Sequence, residues 1–444
     1  MFFYAWWDWR FLSLLVATSL IDYWVAIQLD QTEGKRKRNY LLAVSLITNL
    51  GNLFFFKYCN FFIENFNAAF RFMGQPISID SLNIVLPVGI SFYTFQTLSY
   101  TIDVYKGKIK ATQDATAFMA YVSFFPQLVA GPIERAVNLV PQFFKKREYN
   151  YNQFVDGLRQ MLWGLFKKMV IADNCAIFAN MIFNRHDEFN GMSMMIGTFF
   201  FSFQLYCDFS GYSDIAIGCA RLFGFNLMKN FNFPFFSRDI PEYWRRWHLS
   251  QTTWFRDYIY QPLGGSRMGP WMNIRNVFAI FMLSAIWHGA NWTFVIWGLL
   301  NFLFFIPYII LNKNRKYTNH MAEGKIIPGL YETMACLSTF TITSFGRIFF
   351  RAENVDQAFS MIGKICSTSL FSIPNYENKI GSLWVILACF VFIVLEWFGR
   401  TNEYAIEKYI LNWPNWLRKS FYYGLIFCIL YFGNTNQKYI YFDF

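Results

Sequence analysis

Charge is scarce in this chain. Only 15% of its 444 residues are Asp, Glu, Lys or Arg, against roughly 25% in an ordinary soluble domain, so a water-soluble globular protein is excluded. Eight cysteines are present, but no two form a C-x-x-C pair, which leaves neither a zinc pattern nor a disulfide framework. Four histidines occur without H-x-x-x-H spacing, and no metal site is read from them. The absence of a G-x-S-x-G elbow removes support for serine-hydrolase chemistry. No cleavable signal peptide, internal repeat or soluble domain is visible in these residues.

What is abundant is apolar and aromatic surface, 55% and 22% of the residues. Apolar runs at 11–29, 40–58, 84–105, 192–220, 293–311, 327–350, 382–398 and 421–432 are read as spans, several of them approaching or exceeding the ~20 residues that cross a bilayer. The expected fold is an all-α polytopic membrane protein, with 1–444 as a single membrane-embedded domain. The net charge of +11 is read through the positive-inside rule and not as nucleic-acid binding. Lys35–Arg38, Lys106/Lys108/Lys110 and Lys313/Arg315/Lys316 mark cytoplasmic loops, and alternation then puts the C-terminus outside. Residues 118–132, punctuated by Pro126, Gly131 and Pro132, read as re-entrant, and 154–183 as a helix interrupted by Lys167 and Lys168.

Three stretches carry candidate chemistry. His288 sits in Ala-Ile-Trp-His-Gly-Ala-Asn-Trp (285–292) between apolar arms. An ionisable group at that depth faces a bundle interior or a wet cavity. There it is either a general base near neutral pH or a buried bridge between helices. Gly289 allows close approach of another group, and Asn291 adds a donor and an acceptor. In 204–218, Asp208 and Asp214 lie six residues apart on an apolar helix. Six residues turn it by about 600°, so the two carboxylates do not share a face, and they read as polar glue pairing with arginines. In 232–267, Arg238, Arg245, Arg246, Arg256 and Arg267 are interleaved with aromatics and with His248. Their planar forks suit phosphate or carboxylate, or an anchor at lipid headgroups. His186 and His320 stand in polar loops and read as solvated.

Phe125-Pro-Gln-Leu-Val-Ala-Gly-Pro-Ile-Glu-Arg135, Tyr206–Gly218, Tyr243-Trp-Arg-Arg-Trp-His-Leu-Ser250, Arg256–Gly265 and Trp287-His-Gly-Ala-Asn-Trp292 together resemble the membrane-bound O-acyltransferases. The closest resemblance is to the bacterial branch that acylates alginate, peptidoglycan and teichoic acids. The resemblance implies a ring of helices with re-entrant segments around a tunnel. It implies His288 as the catalytic histidine and His248 as the second histidine, with Trp244, Arg245, Arg246, Asn291 and Asp208 along the substrate path. No cofactor is permanently bound; the donor is a thioester, acyl-coenzyme A or an acylated carrier. Further implications are a bacterial cytoplasmic-membrane location, an extracytoplasmic acyltransferase partner, contact with membrane lipids and a polysaccharide acceptor. An apolar segment ahead of Met1 is also expected. The tail Tyr439-Ile-Tyr-Phe-Asp-Phe444 is similar to family tails in which a tyrosine accepts the acyl group, and Tyr441 is the matching position. The competing reading is a proton-coupled transporter or flippase of an envelope precursor with His288 as a relay, but no paired broken-helix halves support it.

Overall fold

A computed structural model describes residues 1–75, 77–433, 437, 439 and 440. Among these, every regular element is helical. Four helices are long and apolar enough to cross a membrane: Trp9–Gln31, Lys35–Phe72, Trp292–Ile310 and Lys379–Gly399. The expected all-α, multi-pass class holds. The chain forms two compact units, 1–149 with 225–227, and 150–224 with 228–444.

The first unit contains α1 (Phe2–Trp7), α2 (Trp9–Gln31), α3 (Lys35–Phe72), α4 (Ile90–Tyr105), α5 (Ala115–Val122) and α6 (Ala136–Phe144). Its long helices are joined by one polar knot. Asp22 on α2 accepts from Ser45 Oγ (2.5 Å) and Asn49 Nδ2 (2.8 Å) on α3, and Asn49 Oδ1 accepts from Thr97 Oγ1 on α4 (3.2 Å). A carboxylate in an apolar bundle needs such donors, and their positions fix helix register.

Two boundaries differ from expectation. The basic cluster at 35–38 belongs to the first turn of α3, which then runs unbroken to Phe72 instead of ending at 58. Arg38 turns back to donate to Leu29 O (2.5 Å) and Tyr105 O (2.7 Å), satisfying carbonyls at the ends of α2 and α4. Conversely, the span expected from 84 is helical only from Ile90. Pro87 lacks an N–H, and Gly89 takes a left-handed φ of 74° as the cap.

The second unit contains α7 (Tyr151–Leu165), α8 (Asp173–Asn184), α9 (Gly191–Leu222), α10 (Ile240–Trp244), α11 (Leu249–Phe255), α12 (Pro270–His288), α13 (Trp292–Ile310), α14 (Leu330–Arg351), α15 (Val355–Ile365), α16 (Lys379–Gly399) and α17 (Asn415–Phe432). A π-helical turn, Phe166–Ala172, joins α7 to α8. Here two glycine pairs decide the packing. A Cβ on Gly164 would lie 2.5 Å from Gly211 O, and one on Gly157 would lie 2.7 Å from Gly218 O. Backbone therefore meets backbone where α7 crosses α9 antiparallel, a contact that only hydrogen side chains permit.

This close crossing brings the lysines that seemed to interrupt 154–183 against α9. Lys167 pairs with Asp214 (2.5 Å), and Lys168 with Asp208 (2.8 Å) and Asp173 (2.7 Å). The two carboxylates are thus glued by lysines, not by the arginines expected. Both lysines lie within the π-helical segment Phe166–Ala172.

Candidate active site

His288 is the last residue of α12, where the helix ends against Gly289. The carbonyl end of a 19-residue helix stabilises positive charge at that position. Gly289 is extended, so its need is not conformational. A Cβ there would stand 2.1 Å from the Phe294 ring, which packs into the space instead. The imidazole, 4% exposed, is enclosed by Trp287, Trp297 and Phe350 at centroid distances of 5.0, 5.3 and 5.0 Å.

The ring borders a narrow cleft shared with Leu205, Tyr243, Trp244, Trp247, Trp297, Asn301, Thr343, Arg347 and Phe350. Its wall is assembled from α9, α10, α12, α13 and α14. Aromatic walls exclude water, and a base and hydrogen-bond donors in such a setting act with little dielectric screening.

His248 caps α11 in the left-handed region (φ 45°), a conformation uncommon outside glycine and least so for Asn, Asp and His. It is held there from the inside. Its Nδ1 lies 3.1 Å from Asn230 Oδ1, which also accepts from Ser250 Oγ at 2.9 Å. That shared acceptor makes Nδ1 the protonated nitrogen and leaves Nε2 as the lone pair. Nε2 is buried with no hydrogen-bond partner among the described residues. Burial pushes the His248 pKa down to about 3, so this ring is neutral at physiological pH. It stands edge-on to Phe209 at 4.6 Å and to Trp287 at 5.9 Å. The two histidines therefore flank one indole, Trp287.

Residues 43–344 match the membrane-bound O-acyltransferase family. The chain belongs to that family. Curated relatives agree in kind. A protein of Azotobacter vinelandii named as a probable alginate O-acetylase is 36% identical over 407 residues, 91% of this chain and 78% of that one. A peptidoglycan O-acetyltransferase of Helicobacter pylori is 31% identical over 487 aligned residues, covering 100% of this chain and 90% of the relative. A teichoic acid D-alanyltransferase of Bacillus subtilis is 28% identical over 293 residues, 61% and 70% of the two chains. The protein is thus an acyltransferase, and the transporter reading is set aside.

The other residues singled out in this acyltransferase are distributed as follows. Trp244 lines the His288 cleft, and its indole Nε1 is buried without a partner among the described residues. Arg245 donates to Asn314 O (2.5 Å) and Tyr317 O (2.7 Å). Arg246 forks onto Glu242 Oε1 (2.8 Å) and donates to Asn232 O and Asn319 O. Both guanidinium groups thus brace neighbouring loops. Asn291 is the N-cap of α13, accepting from Thr293 N (3.0 Å) and donating to Glu353 O (2.9 Å). Asp208 accepts from the backbone N–H of Ile440 (2.8 Å) besides pairing with Lys168. Tyr441 lies outside the described residues. His320 is half-buried beside Arg246 (3.4 Å) and not solvated as expected; burial and that cation hold its pKa below the usual imidazole value.

Arg347, Tyr243, Asn301 and Thr343 were not singled out from the sequence. For Arg347 the signal was there, a lone cation inside the apolar run 327–350.

Proposed function

We propose that this acyltransferase takes an acyl group, in the first instance acetyl, from a cytoplasmic thioester and delivers it for O-acylation of an extracytoplasmic polysaccharide. The single observation that carries the reading is His288 at the end of α12, opening into an aromatic-walled cleft. The relatives named for alginate and peptidoglycan O-acetylation point to the same class of acceptor. Acyl-coenzyme A and an acylated carrier protein are the two donor classes.

In this reading His288 removes the proton of the attacking hydroxyl as its oxygen adds to the thioester carbonyl. The oxyanion then collapses, the C–S bond breaks, and the thiolate leaves with the proton returned by His288. General-base assistance of this kind contributes roughly 10²–10⁴-fold. Enclosure of both reactants between the same rings adds the gain of orientation. His248, neutral and fixed by Asn230, would offer its Nε2 lone pair as an acceptor that positions a donor or acceptor group beside Trp287. Trp244 would shape the acyl end of the cleft. Arg245 and Arg246 contribute positive potential where a phosphate-bearing donor arrives while bracing the loops they already hold.

Tyr441 would take the acyl group as an ester and pass it to an external acyltransferase partner. Supporting this, Ile440 is tied to Asp208, one helical turn from the cleft residue Leu205 on α9, and Tyr439 stacks on Tyr212 at 4.9 Å. The setting is the bacterial cytoplasmic membrane, with surrounding lipids as the other contact.

The test is incubation of purified protein in detergent with radiolabelled acetyl-coenzyme A, and separately with an acylated carrier. Thioester-dependent labelling that disappears in His288→Ala is expected. No turnover of either donor by the wild type would overturn the reading.

A further inference from the structure

Arg347 presents an uncompensated positive charge to the His288 cleft. The residue is 3% exposed and lies on α14, one turn before Phe350, whose ring touches the His288 imidazole. Its hydrogen bonds go to neutral hydroxyls, Tyr243 Oη at 2.8 Å and Ser344 Oγ at 3.5 Å. No carboxylate forms an ion pair with it among the described residues, whereas Arg221 on α9, Arg238 before α10 and Arg245 and Arg246 just after α10 each meet a carboxylate or a row of carbonyls. Aromatic faces take the place of a counter-ion. The guanidinium carbon stands 5.3 Å from the Trp247 centroid, 5.4 Å from Phe235 and 5.7 Å from Tyr243.

Ring quadrupoles at those distances only partly replace the hydration that a buried guanidinium loses. A cation in this state has capacity left to bind an anion. Two of its five N–H groups are used by the two hydroxyls. The cleft it borders has no Asp or Glu in its wall, and it holds a second donor without a partner, the Trp244 indole N–H.

We propose that Arg347, assisted by Trp244 Nε1–H, receives the oxyanion that forms when the acceptor hydroxyl adds to the thioester carbonyl. The inference rests on the acyltransfer reading above and names the group that would stabilise its transition state. As the hydroxyl oxygen bonds to the carbonyl carbon, its proton goes to His288 and the carbonyl π pair moves onto oxygen. That oxygen accepts hydrogen bonds from Arg347 and Trp244, and no proton is transferred from either. When the carbonyl re-forms, the C–S bond breaks, and the thiolate takes the proton from His288. An arginine is suited to this position because it keeps its charge throughout and donates in a fixed plane. Asn291, the other amide near His288 in sequence, has both ends of its side chain engaged as the α13 cap.

The experiment compares wild type, Arg347→Lys, Arg347→Gln and Arg347→Ala in detergent. With the better of the two thioester donors, Arg347→Gln is expected to lose roughly 10²–10³-fold in kcat, the cost of one oxyanion donor, with the donor KM changed less than about threefold. Arg347→Lys should fall between, and added methylguanidinium should restore part of the Arg347→Ala rate. A second arm needs no donor. Acetate, compared with chloride at equal ionic strength, should raise the unfolding temperature of the wild type and not of Arg347→Gln.

Retention of more than a tenth of wild-type kcat by Arg347→Gln overturns the proposal. So does a loss confined to KM, or a wild type that acetate does not stabilise. If Arg347→Gln and Arg347→Ala do not fold, a full-rate Arg347→Lys overturns it and a kcat-only loss in that variant supports it. Absence of thioester turnover by the wild type, with the acetate shift intact, instead strikes the acyltransfer reading and leaves the anion site standing.

Discussion

Removing the Asp214 carboxylate tests what holds the second unit together. Lys167 and Asp214 are 3% and 8% exposed, and their charged atoms are 2.5 Å apart. At an effective dielectric of about 20, that separation is worth roughly 7 kcal/mol of attraction. Several kcal/mol per ion are lost in leaving water, so the net contribution of the intact pair is small. Breaking it is another matter. In Asp214→Ala the ammonium keeps Ser210 Oγ at 3.0 Å, and Gln160 loses the acceptor it reaches at 2.8 Å. A buried charge stripped of its partner costs about 3–5 kcal/mol. Replacing both charges, as Lys167→Met with Asp214→Leu, should return stability to within about 1 kcal/mol of the wild type. The assay is unfolding in detergent by tryptophan fluorescence, with single and double variants completing a cycle. An Asp214→Ala variant less than about 1 kcal/mol below wild type refutes the reasoning. A double variant no better than the single one refutes it equally.

Other outcomes follow from the same geometry. His288→Ala should lower acyl transfer at least ~10²-fold while the protein still inserts and purifies as a folded species; retention of more than a tenth of the activity removes the base role. Gly164→Ala drives a methyl against Gly211 O and the Ile215 backbone, which cannot yield, so stability should fall by about 1–3 kcal/mol. Tyr441→Phe and His288→Ala should both abolish an acyl-tyrosine ester seen by mass spectrometry; full activity in Tyr441→Phe would mean direct transfer to the acceptor. His248 has a folded pKa near 3, below its ordinary value of about 6.5. The unfolded chain therefore binds the extra proton first, and the stability present above pH 6.5 is lost as pH falls towards 3. Between pH 7 and pH 5 that amounts to about 2 kcal/mol at this one group, and His248→Gln should flatten the acid limb of a stability–pH curve by a similar amount.

The sequence by itself determined the class. Apolar runs of bilayer length, a low charge content and the Trp287–Trp292 and Tyr243–Ser250 motifs are local patterns, and local patterns survive without coordinates. They led to an all-α membrane acyltransferase and singled out His288 and His248. Pro87 and Gly89 likewise announced a break, although the helix start at Ile90 needed the backbone. What the sequence did not determine is where each buried charge goes. Lys167 and Lys168 looked like interruptions of a helix because hydropathy scores a lysine the same whether it meets water or a carboxylate. Their partners lie some 40 residues away on α9, brought into reach by two glycine contacts between helices. Arg245 and Arg246 looked available to a donor; their carbonyl partners come from the loop after α13. Arg347 was legible as a cation in a span, but not as a neighbour of the His288 cleft. That neighbourhood arises only when α14 packs beside α13 and brings Phe350 to the end of α12, because side chains from five helices meet there through contacts that no spacing along one strand of sequence encodes.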